Sequence, residues 1–219
     1  MNIPLSDLIT ALRSHADPRK AGGMEAYMKH RFPFLGLQKA PRLAVTDPFL
    51  KEKCRENAVD WDLVSQLWDQ PEREFQYTAL NYLWKMKRQL GKADIPRLKA
   101  LIESKSWWDT VDSIALLIGE IVRRHPEVQA DVLTAWIQDP DLWVKRVSIL
   151  FQLKYKRDTD TAFLSKAILA NCTTKEFFLN KAIGWALREY SKTDPDWVRH
   201  FLSGHTLHPL SLREGGKYC

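Results

Sequence analysis

An internal repeat constrains this chain more than any other feature. Thr78-Ala79-Leu80, Ser113-Ile114-Ala115, Ser148-Ile149-Leu150 and Ala182-Ile183-Gly184 recur at offsets of 35, 35 and 34 residues. Five residues after each first position come Leu83, Ile118, Leu153 and Leu187. The small residue lets a neighbouring helix approach, and the large one fills the layer behind it. A period near 35 with two helices per unit is the mark of an α-solenoid. Chance similarity among amphipathic helices is the competing explanation, and four units at nearly constant spacing weigh against it. Only nine glycines occur in 219 residues, and strand-like alternation is missing. Both points favour an all-α chain. The apolar periodicity predicts helices near 3–15, 23–31, 41–56, 60–69, 72–90, 94–104, 107–124, 127–138, 141–155, 160–170, 175–191 and 194–202. Pro18, Pro41, Pro71, Pro126, Pro140 and Pro195 fall at or near the breaks, where proline belongs. The expected architecture is a single domain over 1–219, built of antiparallel helix pairs that curve around a concave surface.

Charge says where that surface would be positive. The net charge of +6 only mildly favours polyanions. Its distribution says more: Asp141 to Lys192 holds ten basic and five acidic residues, while the rest is nearly balanced. The excess therefore falls in the later repeats. Cys54, Cys172 and Cys219 are an odd number without metal-ligand spacing, and read as reduced thiols. There is no apolar run behind a basic N-terminus and no stretch long enough to span a bilayer, so a cytoplasmic protein is expected. Neither a His/Cys/carboxylate cluster nor a glycine-rich phosphate loop is present, so no metal or cofactor is expected. A monomer is expected.

Nine tryptophans are a high count, and helical phase separates core from surface. Trp107, Val111, Ile114, Ile118 and Val122 form one apolar stripe, so Trp107 reads as core. Trp108, Asp112, Gly119 and Arg123 run along the edge of that stripe. Trp108 and Asp112, four apart, are surface neighbours. Ser106 reads as the helix N-cap, with Asp109 at the acidic position of a capping box. Asp112 lies beyond the first turn, and capping does not account for it. Further along, Leu179, Ile183, Ala186, Leu187 and Tyr190 make a core stripe. Trp185 points away from it, beside Lys181, Arg188 and Lys192. It either packs on the next repeat or meets a ligand, and the cations suit phosphate. Arg146 shares a face with Leu142, Leu150 and Leu153, and an arginine there must snorkel, pair or bind an anion. In the repeat alignment it matches Val111, next to Asp112. A plain Arg146–Asp112 bridge between repeats competes with a role in binding.

SWWDTVD (106–112), LWVKRVSILFQLKYK (142–156), KEFFLNKAIGWALREYSKTDP (175–195), PEREFQ (71–76) and AYMKHRFPFLGLQ (26–38) closely resemble the AlkD-like DNA glycosylases of the DNA alkylation repair family. The resemblance runs through nearly the whole chain in order. It implies a superhelix of HEAT-like repeats that cradles duplex DNA. It also implies excision of cationic N3- and N7-alkylated purines such as 3-methyladenine and 7-methylguanine, at an exposed lesion site. By motif, the family's catalytic aspartate falls on Asp112, its site tryptophans on Trp108 and Trp185, and its cleft arginine on Arg146. Tyr27 and Gln38 match further cleft positions, and Lys181 and Arg188 are expected on DNA. One departure stands at the end. Pro209-Leu210-Ser211-Leu212-Arg213-Glu214 leads into Gly215-Gly216 rather than a closing helix, and glycines disfavour helix, so a poorly capped last repeat is expected.

An alkylated purine is already cationic and leaves readily. What remains is to stabilise an oxocarbenium-like sugar and admit water, which a carboxylate can do. Indole faces attract cations, so the tryptophans would flank the lesion. No lysine is placed for Schiff-base lyase chemistry. The alternative is a non-enzymatic helical-repeat scaffold that binds protein or nucleic acid.

Overall fold

The core stripes of the sequence become helix–helix contacts in the computed structural model, which describes residues 4–218. Thirteen α-helices and no strand occur among these residues, in two units that divide between Leu90 and Gly91. The first unit holds α1 (Leu5–Ser14), α2 (Pro18–Tyr27), α3 (Lys39–Lys53), α4 (Trp61–Asp69) and α5 (Arg73–Lys85). The second holds α6 (Ile95–Glu103), α7 (Trp108–Arg124), α8 (Thr134–Trp136), α9 (Leu142–Leu150), α10 (Thr161–Leu169), α11 (Phe177–Tyr190), α12 (Pro195–Gly204) and α13 (Pro209–Gly215). No described helix is long and apolar enough to cross a membrane.

The repeat is legible in the second unit as a stack. α7 packs on α9, α9 on α11 and α11 on α13, while α6, α8, α10 and α12 form a second layer against them. The repeat positions sit where the layers meet. Ser148 and Ala182 are fully buried, Ser113 is half-buried, and Ile118, Leu153 and Leu187 are buried behind them. Thr78 and Leu83 fill the same roles on α5. This is an α-solenoid arrangement, each pair burying a face that it could not bury alone.

Local chemistry moves several boundaries. α2 starts at Pro18, not near 23, because Asp17 caps it through the Arg19 amide and Pro18 suits a first turn. Lys29 and His30 follow it with positive φ, so the helix cannot continue to 31. The 127–138 segment is a π-helical turn over Gln129–Leu133 followed by the single turn α8. The predicted start of the first helix at residue 3 and the thiol of Cys219 lie outside the described residues, while Cys54 and Cys172 are free thiols.

The expectation of a poorly capped end is overturned. Pro209–Gly215 is helical, and a 3-10 turn continues over Gly216–Tyr218. Ser211 Oγ donates to the Asn180 carbonyl and reaches its side-chain oxygen, fastening α13 to α11. The glycine signal misled because it concerns close approach here. A Cβ on Gly215 would stand 3.1 Å from the Cβ of Leu187, and one on Gly184 would stand 2.5 Å from that of Glu214.

Gly119 plays the same part between α7 and α9. A Cβ there would lie 2.1 Å from the Phe151 carbonyl oxygen, and the Tyr155 hydroxyl donates to the Gly119 carbonyl at 2.6 Å. Backbone cannot yield as a side-chain tip does. Gly119→Ala is therefore expected to destabilise by about 1–3 kcal/mol, at the cost typical of overpacking. Thermal melting should show a drop of several degrees, and an unchanged melting temperature would mean that the helices are not so closely packed.

Candidate active site

α7, α9 and α11 bring their N-terminal turns together around an aromatic cluster. Trp107, Trp143 and Phe178 supply one ring each, with centroids 4.8 to 5.7 Å apart. Trp107 and Trp143 are buried, as the stripe of α7 predicts for Trp107. Such pairs contribute about 0.5–1.5 kcal/mol each beyond area burial, so the cluster fixes the register of the three helices.

That register joins Asp112 to Arg146. Arg146 Nε donates to Asp112 Oδ1 at 2.7 Å and Nη2 to Oδ2 at 2.9 Å, a bidentate pair. Arg146 Nη1 donates to the backbone carbonyl of Phe178. One guanidinium thus ties α7, α9 and α11. The Arg146 side chain is 5% exposed and that of Asp112 16%. The carboxylate is therefore the outward member of the pair, and each of its oxygens keeps acceptor capacity beyond the bond to arginine. Burial pushes the Asp112 carboxyl above its ordinary value, against the pull of Arg146, and Asp109 adds to the rise. The bridge anticipated between repeats exists, and it also holds a carboxylate at the edge of the core.

Trp108 stands one helical turn before Asp112 and is half-buried. Its helix starts differently from expectation. Trp107, not Ser106, occupies the N-cap position of α7, with no side-chain cap bond. Ser106 Oγ instead donates to the Ile102 carbonyl at the end of α6. The capping box therefore does not form, because the serine hydroxyl meets an orphan carbonyl first. Asp109 remains in the first turn, where the helix dipole favours it.

Trp185, on α11, is half-buried as well. The cations that the sequence places beside it are engaged in ion pairs. Glu214 of α13 accepts from Arg188 at 2.6 Å and pairs with Lys181 at 3.2 Å and Lys217 at 3.1 Å. Lys217 and Lys181 hold the Glu214 carboxyl well below its ordinary value, at about 2. Three cations on one carboxylate still leave a positive surface, now fixed in place. Periodicity could not reveal Glu214, since it lies 26 residues beyond Arg188.

In the first unit, Tyr27 and Gln38 line one recess of about 400 Å³ with Arg19, Lys20, Phe34 and Tyr77. The PEREFQ segment explains how Gln38 is placed. Glu74 is fully buried and accepts from the amides of Leu35, Gly36 and Leu37 at 2.9 to 3.0 Å. Arg73, also fully buried, stacks on Phe32 at 3.9 Å. These two side chains shape the loop that ends at Gln38. Tyr27 is 70% exposed at the end of α2. Among the described residues, no group of three or more His, Cys, Asp or Glu is placed to hold a metal ion.

The comparison that decides the family is a match of residues 8–219 to the model of the DNA alkylation repair enzymes. The chain belongs to that family. Its fold is also that of a solved structure, a predicted DNA alkylation repair enzyme from Enterococcus faecalis. The two are 35% identical with a TM-score of 0.87, over 93% of this chain and 96% of the other. Among curated proteins none matches. Membership in the DNA alkylation repair family supports a role in DNA repair.

Proposed function

We propose that this family member is a monofunctional alkylpurine DNA glycosylase, which hydrolyses the N-glycosidic bond of cationic N3- and N7-alkylated purines in duplex DNA. The observation that carries this reading is Asp112, a carboxylate held by a bidentate arginine at the edge of the core, with a half-buried tryptophan one turn away. The substrate needs no protonation to leave, so its barrier lies in the sugar cation. A preorganised carboxylate stabilises that charge without reorganising as the reaction proceeds. Arg146 fixes its direction, and Asp112 orients the attacking water with its remaining lone pairs. Trp108 and Trp185 offer ring faces to the cationic nucleotide, and Tyr27 and Gln38 contact the duplex. Lys181 and Arg188, held by Glu214, meet backbone phosphates, so binding is largely indifferent to sequence. The protein acts as a monomer on duplex DNA, as a single glycosylase domain over 1–219.

The deciding experiment is incubation with a duplex containing 7-methylguanine. Free base should appear and leave an intact strand with an abasic site. Strand cleavage trapped by borohydride would point to a lyase instead. No base release at all would favour a scaffold that only binds.

The raised Asp112 carboxyl sets the pH dependence. Catalysis needs the ionised form, and the folded-state value lies above the ordinary aspartate value of about 3.9. Single-turnover release should therefore fall as pH drops, through a midpoint above that value. The same shift means that the folded state binds this proton more readily than the unfolded chain, so Asp112 by itself favours folding at low pH and loses that contribution as pH rises through its folded value. A rate that stays flat down to the ordinary aspartate range would dissociate Asp112 from the chemistry.

A further inference from the structure

We infer that the turn after α9, with the end of α7, forms a second phosphate-binding site for the DNA backbone, distinct from the cations that Glu214 holds on α11. Arg123, Lys154, Lys156, Arg157 and Lys192 line one open recess of about 560 Å³. Asp158 is the carboxylate in its lining, and Glu189, which pairs with Lys154 and Lys192, borders it in an adjoining cavity. Five cations thus face two acids. Lys156 and Arg157 are exposed and take part in no ion pair among the described residues.

The site is built, not merely charged. Arg123 donates to the Lys154 carbonyl at 3.0 Å and lies 4.3 Å over the Tyr155 ring, whose hydroxyl is anchored on Gly119. Those contacts pin the turn against α7. Lys156 adopts φ +54°, in the left-handed region that costs a side-chain-bearing residue energy. Glycine would suit that backbone better, and a lysine stands there instead.

The occupant follows from position. Asp112 and Arg123 are eleven residues apart on α7, within about 20° of the same face and ~16 Å along the axis. A duplex presented to Asp112 extends well beyond that distance, with closely spaced phosphates on both strands. This recess would take a phosphate distant from the lesion, and the inference rests on the glycosylase reading above.

Lys156→Gly and Arg157→Gln, singly and together, test it. Wild type and variants are titrated with a 7-methylguanine duplex over a salt series, and single-turnover release is measured at saturating protein. The double variant should bind on the order of tenfold more weakly, with a salt slope smaller by roughly 2 at ~0.9 per phosphate contact. Its release rate at saturation should stay at the wild-type value. Lys156→Gly should keep or raise the melting temperature, because glycine accepts the positive φ. An unchanged affinity and slope would overturn the site, and so would a release rate that collapses at saturation. Wild-type protein that neither binds nor releases base would instead strike the glycosylase reading, and this inference with it.

Discussion

Asp112→Asn is expected to lose on the order of 10²–10³ in single-turnover base release, the usual cost of one preorganised electrostatic contact. Asparagine keeps the shape and one acceptor oxygen toward Arg146. On the proposed glycosylase mechanism, it removes the negative charge that faces the sugar cation. It also places an amide against one arm of a guanidinium that now has two carboxylate partners, so some loss of stability should accompany the loss of rate. The two effects separate when activity is counted per folded molecule and the melting temperature is read alongside. Near-normal release by the folded variant would reduce Asp112 to a structural bridge. Affinity for undamaged duplex should change little, because that depends on cations elsewhere.

Arg146→Ala should have the largest effect on stability. The guanidinium is almost wholly buried and satisfies both Asp112 and the Phe178 carbonyl. Removing one partner of a buried pair typically costs about 3–5 kcal/mol, since the other charge stays behind unpaired. The carboxyl of Asp112 should then titrate still higher, and release at neutral pH should fall. The pair Asp112→Asn with Arg146→Met supplies the control. A thioether of similar length refills the space, and no carboxylate is stranded. The double variant should be more stable than Arg146→Ala alone and just as inactive as Asp112→Asn. A double variant as unstable as Arg146→Ala would place the cost in the lost guanidinium tie to the Phe178 carbonyl rather than in the stranded charge.

Much of the site was legible because helical phase and repeat spacing are local quantities. The 34-to-35-residue period set Arg146 beside the position of Asp112 one unit away, and the two side chains do meet. Trp107 as core, and Trp108 and Trp185 off it, followed from 100° per residue. The departures share a cause. Ser106 stands where a cap belongs, just before a helix, yet its hydroxyl is closer to a carbonyl of the preceding helix. The shared counter-ion of Lys181 and Arg188 went unseen because it lies far along the chain.

By itself, the sequence determined the all-α class, the stacked pairs and the identity of the residues that face each other across neighbouring repeats. Those rest on periodicities of one helical turn and one repeat, which burial of an apolar face enforces wherever the chain folds. Only the tertiary structure decided which polar groups satisfy one another. Arg146 reaches both Asp112 and the Phe178 carbonyl, Glu74 gathers three amides of one loop, and Glu214 binds three cations from a helix that glycines seemed to forbid. Hydrogen bonds act over about 3 Å, and whether two groups come that close depends on how whole helices pack. Gly184 and Gly215 show this most directly, because their lack of a side chain lets α13 lie on α11.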